Sequence, residues 1–220
     1  MPRIQSQGKC ELCGRTFGKV AMSRHLTACL AKQAAAADTP STGVKLFHLL
    51  VQGTYLSHYW LHLEMPDTAT FGDLDAFLRR TWLECCGHLS AFTRKTGRGA
   101  PRGGGDEVPM EAQLGQVLRP GMELLHEYDF GSTTTLALKV IGTREGTVGN
   151  EHEVRLLARN DPPLLPCGNC GQPATQIDME NSYDPSGWLC DQCAEDAGLA
   201  EEMMLPVVNS PRTGVCGYTG

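Results

Sequence analysis

No apolar run in this 220-residue chain approaches the ~20 residues that cross a bilayer. The sequence therefore predicts no membrane span. Residues Met1 to Gln7 lack the apolar core of a signal peptide, so the expected compartment is the cytoplasm. Reaction signatures are missing as well: there is no G-x-S-x-G, no H-E-x-x-H and no G-x4-G-K-[ST]. Asp129-Phe130-Gly131 has no H-R-D or ATP-binding loop beside it, which excludes the kinase magnesium motif. Positive charge is scarce overall. A net charge of −6 makes the whole chain a poor general binder of nucleic acid.

Cysteine is abundant, with ten in the chain, and the spacing argues against a disulfide scaffold. Cys10/Cys13, Cys167/Cys170 and Cys190/Cys193 are C-x2-C pairs, which in a reducing compartment point to metal ligation. The first continues as Cys10-x2-Cys13-x11-His25-x3-Cys29, the pattern of a CCHC zinc finger over 8–34. His25 and Cys29, four apart, share one face of a helix expected over 20–28, and Phe17 and Leu26 supply a miniature core. The second and third pairs, 19 residues apart, give a four-cysteine zinc ribbon over 164–198. A redox dithiol competes for one C-x2-C alone, whereas two at this spacing favour structural zinc. Two zinc ions per chain are expected, each with four protein ligands and no open position for water.

Charge is distributed unevenly. Residues 1–34 carry Arg3, Lys9, Arg15, Lys19, Arg24 and Lys32 against Glu11, while beyond residue 159 Arg212 alone opposes nine carboxylates. Arg15, Lys19 and Arg24 on the finger are the candidate phosphate contacts. An alanine-rich linker, 31–43, is expected to let the finger move relative to the rest.

The middle, 44–159, is organised around Leu118 to Gly131. Pro120-Gly121 turns the chain, and the alternation in 123–128 with the β-branched run 133–141 predicts a hairpin at the centre of a sheet. Further strands are expected at 44–51, 59–64, 88–92 and 153–158. A helix over 71–86 is capped by Thr70 and turns Phe71, Leu74, Phe77, Leu78, Trp82 and Cys85 toward that sheet. The Gly-rich stretch 96–107 reads as a loop without the setting of a phosphate site. The resulting class is α+β: a central sheet with one main helix packed on a face, flanked by two small zinc-binding modules. The tail, 199–220, is too apolar for a loose end, so it is expected to pack back on the core and bury Val215 and Tyr218. Cys216 is read as a packed thiol rather than a ligand.

Phe47-His-Leu-Leu-Val-Gln-Gly53, Tyr59 to Pro66, Thr70 to Leu78, His88 to Phe92 and Glu127-Tyr-Asp-Phe-Gly131 come in an order that resembles the plasmid pRiA4b ORF-3-like family. That resemblance covers the middle of the chain and implies a compact α+β domain found on plasmids and mobile elements, with no established reaction. Where family members follow Tyr-Asp-Phe-Gly with Asp and a nearby Trp, this chain has Ser132, Thr133 and Thr134.

Function divides into two classes. A non-enzymatic zinc-binding modular protein, with nucleic acid or another protein as partner, fits the closed zinc sites. The alternative is an enzyme with its site in the central domain around His88, His126 and Asp129, residues scattered in sequence and without a reaction signature.

Overall fold

Leu124, His126 and Tyr128 point to one side of strand β7 (Glu123–Tyr128) and are buried, while Glu123, Leu125 and Glu127 between them are half-exposed. In the computed structural model, which describes residues 6–36, 43–95, 106–147 and 152–220, β7 pairs antiparallel with the long strand β8 (Thr134–Gly146). Among the described residues that hairpin belongs to a nine-stranded antiparallel sheet. The other strands are β1 (Gln7–Cys10), β2 (Thr16–Gly18), β3 (Val44–Gly53), β4 (Trp60–Pro66), β5 (Ser90–Arg94), β6 (Glu107–Val108) and β9 (Arg155–Asn160). Their spatial order is β2-β1-β9-β4-β3-β8-β7-β5-β6, so β3 rather than the β7–β8 hairpin is the middle strand. The Gly-rich stretch falls mostly outside the described residues.

One face of the sheet carries the main core. Phe47, Leu49 and Val51 of β3, Leu61, Leu63 and Met65 of β4, and Leu136, Leu138 and Val140 of β8 pack against helix α2 (Phe71–Leu78) through Phe71, Leu74 and Leu78. Thr70 caps that helix with a reciprocal box: its Oγ1 accepts from the Asp73 amide at 3.1 Å, and its own amide donates to Oδ2 of Asp73 at 2.8 Å.

The sequence predicts this helix as far as Cys86, but α-helical geometry ends at Leu78 and a π-helical turn, Arg79–Leu83, follows. Glu84 then goes extended, with φ −67° and ψ 122°. Its carboxylate holds the Arg79 guanidinium at 2.7 Å and accepts from the Gly87 amide at 2.6 Å. Those contacts fix a loop that lifts Cys85 and Cys86 off the helix. Among the described residues a short helix, α3 (Leu114–Val117), also lies before β7.

The other face of the sheet holds the largest departure from expectation. The finger is not loosely attached. Strand β1 pairs with β9, setting Gly8 opposite Asn160 and Cys10 opposite Ala158. Helix α1 (Lys19–Ala36) lays Met22, Leu26 and Leu30 on Trp60, Leu157 and Ala158. The close approach requires Gly8, because a Cβ there would collide with the Arg159 carbonyl and come 2.8 Å from the Trp60 ring. Burying side chains of this size stabilises by about 1.5–3 kcal/mol each, enough to fix the helix on the sheet. Every residue of β4 is consequently buried, being covered from both sides.

A separate three-stranded sheet forms the ribbon, ordered β11 (Trp188–Leu189), β10 (Gln176–Asp178), β12 (Met204–Pro206), with helix α4 (Asp191–Asp196) beside it. Strand β12 comes from the tail segment, which then runs back to the large sheet. Asn209 exchanges hydrogen bonds with Asn160 at 2.7 and 2.9 Å, and Ser210 donates to the Trp82 carbonyl at 2.6 Å. Arg212 is wholly buried and Tyr218 is buried, whereas Val215 is half-buried. No helix among the described residues is long and apolar enough to cross a membrane.

Candidate metal centres

The finger's ligands come from two local devices. In the turn between β1 and β2 the Cys10 amide donates to the Arg15 carbonyl at 2.9 Å and the Gly14 amide to the Cys10 carbonyl at 2.8 Å, with Gly14 at φ 73°. That knuckle presents Cys10 and Cys13. Helix α1 supplies His25 and Cys29 from one face, and Phe17 stacks on the His25 ring at 4.2 Å. The four ligand atoms all lie within 4.8 Å of one another, and Cys13 Sγ is 3.2 Å from Nε2 of His25. Tetrahedral zinc, with bonds of about 2.3 Å to sulfur and 2.0 Å to nitrogen, needs ligand separations of about 3.5–3.8 Å. Three sulfurs and one imidazole nitrogen gathered within that 4.8 Å limit are a donor set that suits such an ion. The Arg15 backbone amide, aimed at Cys13, holds that thiol below its usual range and favours the thiolate that a metal requires.

The ribbon repeats the arrangement with four sulfurs. Its first knuckle bonds the Gly171 amide to the Cys167 carbonyl at 2.9 Å, with Gly171 at φ 77°. Cys190 precedes α4 and Cys193 lies within its first turn. Cys170 and Cys190 have their sulfurs 3.6 Å apart, and all four ligand atoms again fall within 4.8 Å. Burial opposes ionisation of Cys167, but the backbone amides of Cys170, Cys190 and Asn169 outweigh it and bring the thiol down to about 6. The ligands pack on a small apolar cluster of Leu189 and Ala194, with Met204 against them, while Ile177 and Leu205 are buried elsewhere in the ribbon. A metal ion at the four sulfurs would staple so small a module.

Spacing does not predict a third group. Cys85, Cys86, His88 and Cys216 also place four ligand atoms within 4.8 Å of one another. Cys85 packs against the main core, as its helical spacing predicts, and its sulfur also borders this cluster, where the half-buried Cys216 joins it.

The candidate phosphate contacts separate. Arg15 and Arg24 are exposed, Arg15 with its guanidinium 5.0 Å from the Phe17 ring centroid. Lys19 instead turns to the sheet, donating to Oε1 of Gln52 at 2.7 Å and to the Ser57 carbonyl at 2.9 Å. The candidate catalytic residues also divide. His126 is wholly buried and meets Oδ1 of Asp75 at 2.7 Å, a contact that Ser90 shares from its hydroxyl. Asp129 is taken up by Arg212, whose hydrogen bond holds its carboxyl at about 2. His88 lies 3.6 Å from Asp129 but 3.3 Å from the Cys216 sulfur. A cleft of about 830 Å³ separately opens between the sheet, the ribbon and the tail, with Tyr55, Tyr183, Trp188 and Val215 on its walls.

No family model matches the chain. No curated protein matches it either. Among solved structures it is similar to a protein of unknown function, MM3350 from Methanosarcina mazei Go1, at 22% identity over 53% of this chain and 68% of that one, with a TM-score of 0.41. A likeness at that level assigns neither a family nor an activity.

Proposed function

We propose that the chain is a non-enzymatic, zinc-binding modular protein that associates with nucleic acid through its finger. The observation that carries this is the pair of closed tetrads, Cys10/Cys13/His25/Cys29 and Cys167/Cys170/Cys190/Cys193, at the two ends of the described chain. Each has four protein ligands, which suits structural zinc and leaves no position for a reacting water. Arg15 and Arg24 lie exposed on the finger, in the most basic part of an acidic chain. The order of motifs in 44–159 supports kinship with the plasmid pRiA4b ORF-3-like proteins and hence with mobile elements, whose products commonly act on nucleic acid. A cytoplasmic location belongs to the same reading.

The test is anisotropy of labelled DNA and RNA against salt. Binding should weaken steeply as salt rises, and replacing Arg15 and Arg24 by Ala should reduce the logarithmic salt slope by about 1 for each phosphate left without its arginine. Absence of salt-dependent binding to either nucleic acid would remove this partner. The apolar cleft beside Tyr55 and Tyr183 favours a second reading, in which the chain is a scaffold for a protein partner and its zinc is purely structural.

A further inference from the structure

The third cluster joins parts of the chain far apart in sequence. Cys85, Cys86 and His88 stand on the loop between the π-helical turn and β5, whereas Cys216 comes from the tail. His88 Nε2 and Cys216 Sγ lie 3.3 Å apart across 128 residues of sequence. The four ligand atoms meet the same 4.8 Å limit as the finger and the ribbon.

Local backbone makes the likeness closer. Gly14, Gly87, Gly171 and Gly217 each directly follow a cysteine and each have positive φ, at 73°, 72°, 77° and 66°. Two of these Cys-Gly turns are the knuckles of the finger and the ribbon. The other two, Cys86-Gly87 and Cys216-Gly217, both face the third cluster. Cys216 itself has φ 53°, a left-handed conformation that side chains bearing a Cβ rarely adopt and that concentrates at functional sites.

Both sides of the cluster are fixed by contacts independent of any ion. Glu84 pins the loop through Arg79, the Gly87 amide and the Tyr128 hydroxyl at 3.1 Å. On the tail, Ser210 is bonded to the Trp82 carbonyl and Arg212 reaches Asp129 at 2.7 Å. Arg212 also directs an Nη2–H at the Cys85 sulfur, 3.4 Å away. A hydrogen-bond donor and a positive charge at that sulfur favour the thiolate and offset the negative charge that three thiolates place around a divalent ion.

We propose that Cys85, Cys86, His88 and Cys216 form a third zinc site, which clasps the tail to the central domain. Three sulfurs and one imidazole nitrogen suit tetrahedral zinc, the ligands shedding their thiol protons to solvent as it binds. Its role is structural. It fastens the segment that follows the ribbon and so sets the ribbon against the large sheet.

The experiment is zinc content per chain in full-length protein purified without chelator, compared with Cys86→Ser and Cys216→Ser. Cys86 is exposed, so its substitution removes a ligand while leaving the core intact. Circular dichroism checks that each variant is folded. We expect three zinc ions in the parent and two in each variant, together with faster tryptic cleavage after Arg212, which is wholly buried while the tail is clasped. Two in the parent and two in the variants would overturn the third site and leave the finger and ribbon standing. A parent near zero would overturn the zinc reading as a whole. Three in parent and variants alike, or a Cys85–Cys86 disulfide in the purified protein (its peptide left unalkylated and two hydrogens lighter than the dithiol), would also overturn the clasp.

Discussion

Arg212, wholly buried, donates from Nη2 to Oδ2 of Asp129 at 2.7 Å, tying the tail to the turn after β7. Its other amino group reaches Oγ1 of Thr134 at 3.0 Å and the Ser132 carbonyl at 3.2 Å. Asp129 has φ 65° and accepts the Gly131 amide at 3.0 Å, so a local turn also holds the carboxylate in place. Removing one member leaves a buried charge without its partner. Arg212→Ala or Asp129→Ala should each lower stability by about 3–5 kcal/mol in urea unfolding. The double variant should lose clearly less than the sum of the two. Additive losses would mean that the pair does not couple.

The docking of the finger rests on one missing side chain. Gly8→Ala puts a methyl group where the Arg159 carbonyl and the Trp60 ring already stand. The expected cost is about 1–3 kcal/mol, with β1 levered away from β9. Amide hydrogen exchange of Glu11, whose N–H bonds to the Leu157 carbonyl, should accelerate in the variant. Unchanged protection would mean that the finger does not depend on this close approach.

Acid should destabilise the protein through two buried histidines. His48 Nε2 and His62 Nδ1 lie 2.8 Å apart inside the sheet, with the Ser23 hydroxyl of α1 at 3.4 Å from the other nitrogen of His62. Burial brings His48 down to about 4; burial, helped by His48 and Lys19, brings His62 down to about 3. Both pKa values are depressed by folding, so their contribution is fully present above the unfolded value of 6.5 and is lost as pH falls toward 4 and 3. Between pH 7.5 and pH 5 the loss should be about 2 kcal/mol for each histidine. A His48→Leu/His62→Phe variant compared at the same two pH values separates this from protonation of the cysteine and histidine clusters. Equal acid sensitivity in variant and parent would refute the assignment.

The parts of this structure that local patterns encode are legible in the sequence. The C-x2-C and His-x3-Cys spacings need no tertiary information to put ligands on one turn or one helix face. Alternation at Glu123–Tyr128 and the Thr70–Asp73 box are equally local. What the sequence hides is long-range. Cys85 continues the helical spacing of Leu74, Leu78 and Trp82, and only the Glu84 contacts reveal that the helix has ended before it. Cys216 meets its neighbours across more than a hundred residues, although the Cys-Gly dipeptides at Cys86 and Cys216 carry a legible hint. The docked finger is hidden for the same reason, since Gly8 and Trp60 mean little until β1 lies beside β9. The apolar side chains of β4 on both its faces, Trp60 on one and Leu61, Leu63 and Met65 on the other, are the available sign that something covers the second side.

Diffraction from crystals of the full chain, recorded on either side of the zinc absorption edge, locates the metal as well as detecting it. Anomalous peaks are expected at the centres of Cys10/Cys13/His25/Cys29 and Cys167/Cys170/Cys190/Cys193, each about 2.0–2.3 Å from four ligand atoms. Protein purified without chelator that shows no zinc peak at either tetrad would contradict the zinc assignment.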